Sequence, residues 1–256
     1  MIWNDFVYAP GLDREVLLDI YQFSEQPKTL LLLNDGQEVR KMDMAALLDN
    51  LRLPVAVVAI HAGPARLQEY GIASQPDYNG DGAKAGAYTT FINTVLLPAL
   101  YNRFPDWKPL PVAFAGFSLG GLSALDIVWH HPDIFSFAGV CSGSLWWRDV
   151  PLGPDYSDAN NRIMHRLIRQ SAYQPGLQFF FQCGTEDETA DRNGNGIIDS
   201  IDDTKDLIQE LLSKGYEMDK DLWYYEIAGG RHDAITWEKA LTAMLLLPFF
   251  NGPDRK

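Results

Sequence analysis

The sequence predicts an α/β fold, a mostly parallel central sheet with helices on both faces, from three observations. Apolar runs at 29–33, 55–60, 110–115 and 137–141 show no polar alternation, as expected of strands buried on both faces. Amphipathic stretches of helical spacing separate the runs, which is the pattern of a parallel sheet with crossover helices. The 256 residues suffice for one large core, and no repeat, low-complexity segment or linker interrupts them, so a single domain over 1–256 is expected.

The elements follow in order. Residues 15–21 and 29–33 read as early strands, the second fully buried, and Met42 to Leu51 as a short helix. Another buried strand, 55–60, precedes a helical stripe carried by Phe91, Ile92, Val95, Leu96 and Leu100, with a late kink expected at Pro98. Strand 110–115 leads into an amphipathic stretch from Leu119 to His131. Strand 137–141, a helix over 160–170 and strand 177–183 come next. Leu207, Ile208, Leu211 and Leu212 mark a helix stopping near Gly215, followed by strand 222–227 and helix 234–247.

Composition narrows the function. The net charge of -13 argues against nucleic acid and anionic membrane partners, since phosphate binding needs basic clusters. No apolar run is long enough to cross a bilayer. The first residues lack the basic region and apolar core of a signal peptide, which favours the cytoplasm; a leader removed from a precursor would place the protein outside. Cys141 and Cys183 each close an apolar run and read as buried free thiols.

The chemistry centres on Gly116-Phe117-Ser118-Leu119-Gly120-Gly121. A strand before it and a helix after it make the context of a nucleophile elbow, in which flanking glycines leave room for a tight, strained turn at the serine. A serine hydroxyl needs an imidazole to take its proton and a carboxylate to orient that imidazole. His232, in a glycine-rich turn after the last strand, is the candidate base. His130 and His131 read as helix-end caps, His165 as a surface residue, and His61 precedes the serine, out of order. Asp187 is the candidate acid by position, with Glu186 and Glu188 as open alternatives. The tetrahedral intermediate needs two N–H donors. One is assigned to Leu119, directly after the nucleophile, and the other to the loop Asn34-Asp-Gly-Gln37.

These residues resemble the putative-esterase family of α/β-hydrolases, which includes enterochelin esterases, esterase D, feruloyl esterases and mycolyltransferases. The resemblance runs from about Leu30 to Leu247. It is carried by 32–37, by Arg66 to Gly71 with the Pro76 to Ala85 segment, by Ser142-Gly-Ser-Leu-Trp-Trp147, by Gly184-Thr-Glu-Asp187, and by Gly229-Gly-Arg-His232 with Trp237. It implies the α/β-hydrolase fold, ester hydrolysis, a Ser118/Asp187/His232 triad and Gln37 N–H as the second oxyanion donor. Tyr70, Trp146 and Trp147 are candidate substrate-binding residues, and Trp129 is expected to face the core.

The acid loop departs from the family in length. It continues as a dodecapeptide, Asp191 to Asp202, that fits the EF-hand calcium pattern. Asp191, Asn193 and Asn195 supply oxygens at positions one, three and five, Gly196 the sharp turn, Ile197 a carbonyl, Asp199 position nine and Asp202 position twelve. A structural calcium ion is expected there, with no organic cofactor. The segment 77–82 is half of such a loop and reads as a turn. The expected function is serine carboxylic-ester hydrolysis of a small-molecule ester through an acyl-enzyme. The alternatives are an acyltransferase using the same triad and a non-catalytic calcium-dependent binding domain.

Overall fold

The computed structural model describes residues 1–251. Eight strands form one sheet: β1 (Ile2–Ala9), β2 (Arg14–Gln22), β3 (Thr29–Asn34), β4 (Val55–Ile60), β5 (Val112–Phe117), β6 (Phe135–Cys141), β7 (Gln178–Glu186) and β8 (Leu222–Arg231), in the order β1-β2-β4-β3-β5-β6-β7-β8. The pairs β1/β2 and β2/β4 are antiparallel and the remainder parallel. Every residue of β3, β4 and β5 is buried, as their unbroken apolar sequences require.

The helices are α1 (Gly36–Val39), α2 (Met44–Leu51), α3 (Arg66–Glu69), α4 (Ala85–Phe91), α5 (Leu97–Arg103), α6 (Leu119–His130), α7 (Asp158–Asn161), α8 (Ile163–Gln170), α9 (Asp199–Lys214), α10 (Ala234–Leu245) and α11 (Pro248–Asn251). They divide the core into two layers. One, on the side of α4 to α6, α8 and α9, is built around Tyr88, Phe114, Trp129, Trp147 and Phe179. The other, on the side of α2 and α10, holds Leu31, Val57, Phe117, Phe137 and Trp237. Among the described residues no helix is long and apolar enough to cross a membrane.

Four details differ from the sequence reading. β1 was not foreseen: its Ile2, Phe6 and Tyr8 are exposed, so it shows no apolar face turned wholly inward. The stripe around Phe91 is continuous, but a π-helical turn, Ile92–Leu96, joins α4 to α5. Pro98 explains it: proline has no N–H to give the preceding turn, and its ring crowds the carbonyl four residues back, so the turn widens. The helix expected over 160–170 is broken at Arg162, whose extended backbone aims its guanidinium at Asp203 and Asp206. His165 is buried, not on the surface. Its Nε2–H donates to the Asp203 carbonyl at 2.8 Å, and burial pulls its pKa down to about 3.

Candidate active site

Ser118 stands between β5 and α6 with φ 54 and ψ -124, a strained conformation for any residue with a side chain. Sterics around it account for the glycines. A Cβ on Gly116 would come under 3.0 Å from the Gly120 carbonyl, and one on Gly120 under 3.0 Å from the Asp35 carboxylate. The elbow thus packs glycine against glycine on one side and against the β3–α1 loop on the other. The strain is fixed by hydrogen bonds: Ser118 N–H donates to Cys141 O at 2.9 Å, and Ser118 O accepts from Gly121, Leu122 and Ser144. The Ser118 and Ser144 hydroxyls lie 3.3 Å apart.

Ser118, Asp187 and His232 line one cavity of about 290 Å³, together with Ser142, Gly143, Ser144, Trp146, Glu188 and Ser200. A second cavity, also about 290 Å³, shares Ser118 and His232 and is lined by Asp35, Gln37, Glu38, Arg66, Phe117 and Trp237. Serine and histidine therefore sit where two cavities meet. β8 runs to Arg231, which delivers His232 directly from the sheet edge, and its ring packs edge-on against Trp237 at 5.1 Å. The Trp237 indole N–H donates to the Ser142 hydroxyl.

The three acids separate. Glu186 is exposed and pairs with Arg231. Glu188 lines the cavity, but its Oε1 accepts Ser200 N–H at 2.6 Å, at the start of α9. Asp187 accepts Gly184 N–H on Oδ2 at 2.9 Å and leaves a buried Oδ1 without a hydrogen-bond partner. Burial raises the Asp187 carboxyl pKa, against the lowering effects of Gly184 N–H, the Ser142 hydroxyl and His232. Burial lowers the His232 pKa; Arg66 lowers it further, while Asp187 and Asp233 raise it.

Gln37 and Leu119 both lie in the first turn of a helix, where backbone amides have no intrahelical acceptor. Asp35 enters α1 in the left-handed region with φ 63. Its buried carboxylate takes a two-pronged ion pair from Arg66, at 2.6 and 2.8 Å. Arg66 also reaches Phe117 O at 3.4 Å, so one guanidinium joins the β3–α1 loop to the residue preceding Ser118.

Of the three aromatic candidates, only Trp146 reaches the cavity. Tyr70 and Trp147 are fully buried and line neither of the cavities around Ser118. Tyr70 packs on Tyr88 and accepts Asp35 N–H, and Trp147 fills the space left by Gly71 and Gly82. Both support the site from the core instead of walling it. Ser144, Arg66 and Ser200 lay inside segments singled out by the sequence without being recognised individually; Ser200 enters the cavity because α9 begins there.

The 191–202 loop is self-bonded; it is exposed at Asp191 and over 193–197 and buried over 199–201, where α9 begins. Asp191 accepts N–H groups of Gly194, Asn195 and Gly196, and the side-chain amides of Asn193 and Asn195 both donate to Asp202 Oδ2, at 3.0 and 2.8 Å. Asp199 turns to Arg192, accepting its backbone N–H at 2.9 Å and lying 3.3 Å from its guanidinium. Among the described residues no three His, Cys, Asp or Glu side chains converge as a metal cluster. The 77–82 segment is a turn closed by Asp77 Oδ1, which accepts Asn79 and Asp81 N–H. Cys141 and Cys183 are buried free thiols.

The family model described as putative esterase matches residues 13–247. No match to a curated protein was found. Solved structures of similar fold include the enterobactin esterase FES from Shigella flexneri, at 20% identity and TM-score 0.70 over 96% of this chain and 58% of that one. An IroE-like serine hydrolase from Shewanella oneidensis follows at 19% identity and TM-score 0.68, over 95% and 78% of the two chains. The siderophore hydrolase EstB from Aspergillus nidulans shows 18% identity and TM-score 0.66, over 99% and 95%. The chain spans under two thirds of the length of the enterobactin esterase. The elbow, the sheet order and the match over most of its length place the chain in the putative esterase family, with an α/β-hydrolase fold.

Proposed function

We propose that the protein hydrolyses small carboxylic esters through an acyl-enzyme on Ser118. The observation that carries this reading is the strained Ser118 sharing one cavity with His232 and with a carboxylate, Asp187, whose buried Oδ1 has no partner. His232 takes the Ser118 proton as the hydroxyl attacks the ester carbonyl. Asp187 Oδ1 accepts the other imidazole N–H, fixing the tautomer and stabilising the imidazolium. The Gln37 and Leu119 amides bind the oxyanion as the tetrahedral intermediate forms. The protonated His232 then delivers its proton to the departing alkoxide. In the second half-reaction it activates water against the acyl-enzyme, and Ser118 leaves with the proton returned to it.

A calcium ion in the 191–202 loop is part of the same proposal. The donor types fit, two carboxylates, two amide oxygens and a carbonyl, all oxygen; Asn193 and Asn195 turn their NH2 groups to Asp202 and their Oδ1 atoms to backbone N–H groups, so both amides would rotate to bind an ion. Asp191, Asn193, Asn195, Ile197 O and Asp202 would hold the ion. Asp199, turned to Arg192, would act through water, as position nine of such loops often does. The ion would offset the mutual repulsion of the acids and order the wall that begins at Glu188.

The test is hydrolysis of short-chain p-nitrophenyl esters, with fluorophosphonate labelling followed by mass spectrometry. The expected result is a single adduct on Ser118 and a loss of about 10⁴-fold or more in kcat for Ser118→Ala. An adduct elsewhere, or an active Ser118→Ala protein, would sink the reading.

A further inference from the structure

One carboxylate facing the catalytic cavity has no part in the mechanism. Glu188 lines the space with Ser118 and His232, beside Ser142, Ser144, Ser200 and Trp146. It is partly buried, and one of its oxygens is committed to Ser200 N–H. It has no cationic partner among the ion pairs of the described residues. The Ser200 hydroxyl beside it is buried and lies close enough to lower the Glu188 pKa without making a full hydrogen bond. Behind Glu188 stand Asp199 and Asp203, whose charges, after burial itself, hold its pKa up. Among the described residues no Lys or Arg side chain lines this cavity. Arg66 belongs to the second cavity, bound to Asp35. Arg148 lies over the rings of Tyr78, Trp146 and Tyr156 without entering the cavity wall.

A carboxylate beside an indole, with hydroxyls around it and no lysine or arginine among the described lining residues, is a site for a positive group. We infer that the cavity bounded by Glu188, Ser200 and Trp146 is a subsite for a cationic, ammonium-type group carried by the ester substrate. This inference rests on the esterase reading above and gives it a substrate class. The same wall disfavours substrates that carry a carboxylate at that place, because two like charges would meet in a partly desolvated space. A long unbranched alkyl chain fits poorly too, because it would strip water from the Glu188 oxygen and the serine hydroxyls without replacing their hydrogen bonds.

The experiment compares matched esters that differ only in charge. On the acyl side these are methyl 4-(trimethylammonio)butyrate, methyl 5,5-dimethylhexanoate and monomethyl glutarate. On the alcohol side they are the acetates of choline and of 3,3-dimethylbutanol. The quantity read is the ratio of kcat/KM between cationic and neutral esters, within one protein, at neutral pH. We expect the wild type to favour the cation about tenfold or more on one side of the ester, to discriminate against the glutarate ester, and to lose both biases in Glu188→Gln. Glutamine keeps the oxygen that accepts Ser200 N–H, so the start of α9 is preserved. Were Glu188 the acid of the triad, Glu188→Gln would depress all esters alike and leave the ratio standing, which would overturn the inference. Hydrolysis of neutral esters with no charge preference overturns the subsite and leaves the esterase reading intact. A wild type that cleaves no ester, and that fluorophosphonate fails to label, overturns both.

Discussion

At the scale of single residues, two histidines with lowered pKa values read pH in different ways, one through activity and one through stability. In the proposed mechanism His232 acts only with a neutral ring, and desolvation and Arg66 lower its pKa. The acid limb of kcat/KM should therefore fall below the ordinary histidine value of about 6.5. Asp187→Asn removes a charge that raises the His232 pKa, so it should move the limb lower still while cutting kcat sharply. A limb that shifts upward in that variant would separate Asp187 from His232. His165 bears on stability instead. Its folded pKa of about 3 lies well below the unfolded one, so the unfolded chain binds the extra proton between those values. Its contribution is whole above about pH 6.5 and declines as pH falls toward 3. Urea unfolding at pH 7 and at pH 5 should show the loss, and His165→Gln should flatten it. Equal slopes in the two proteins would assign the acid sensitivity to other groups.

At the scale of elements, catalysis depends on how closely the elbow and the β3–α1 loop approach. Gly120 sits against Asp35, which Arg66 holds from the other side, so neither partner can yield to a new methyl group. Gly120→Ala should cost about 1–3 kcal/mol, read as a Tm several degrees lower, with kcat reduced more than KM is changed because the proposed oxyanion donors would move. An alanine variant with native kcat would show that the loop tolerates displacement. The calcium proposed for the 191–202 loop offers a second test at this scale. At a calcium concentration of about 100 Kd, binding to the folded state adds about 2.7 kcal/mol, or a Tm rise of about 5–10 °C for a chain of this size. Differential scanning fluorimetry with calcium and with EDTA measures it, and Asp202→Asn should abolish the rise. An unchanged Tm in the wild type would remove calcium from the account.

At the scale of the whole molecule, the sheet and the strained turn at Ser118 were legible because their signals are local. Buried parallel strands need unbroken apolar runs, and a strained serine needs glycine neighbours. The approach of distant segments was not legible: Ser200 joins the cavity through the start of α9, and Tyr70 and Trp147 turn inward because Gly71 and Gly82 leave room for the indole. Charge is the remaining global property. The chain carries a net -13, yet its arginines are drawn into compact knots: Arg162 and Arg192 share Asp203, and Arg192 also takes Asp158. Buried pairs of this kind are screened weakly, whereas repulsion among the exposed acids acts through solvent and is screened strongly. Raising NaCl from about 10 to 200 mM shortens the Debye length from about 30 Å to below 10 Å, so Tm should rise as self-repulsion fades. The same increase would imitate weak calcium binding, so the two effects must be measured apart. At fixed ionic strength, replacing sodium by calcium should raise the Tm of the wild type further and leave Asp202→Asn where sodium put it. If salt alone lowers Tm, the arginine knots lie closer to solvent control than their burial implies, and the repulsion argument fails.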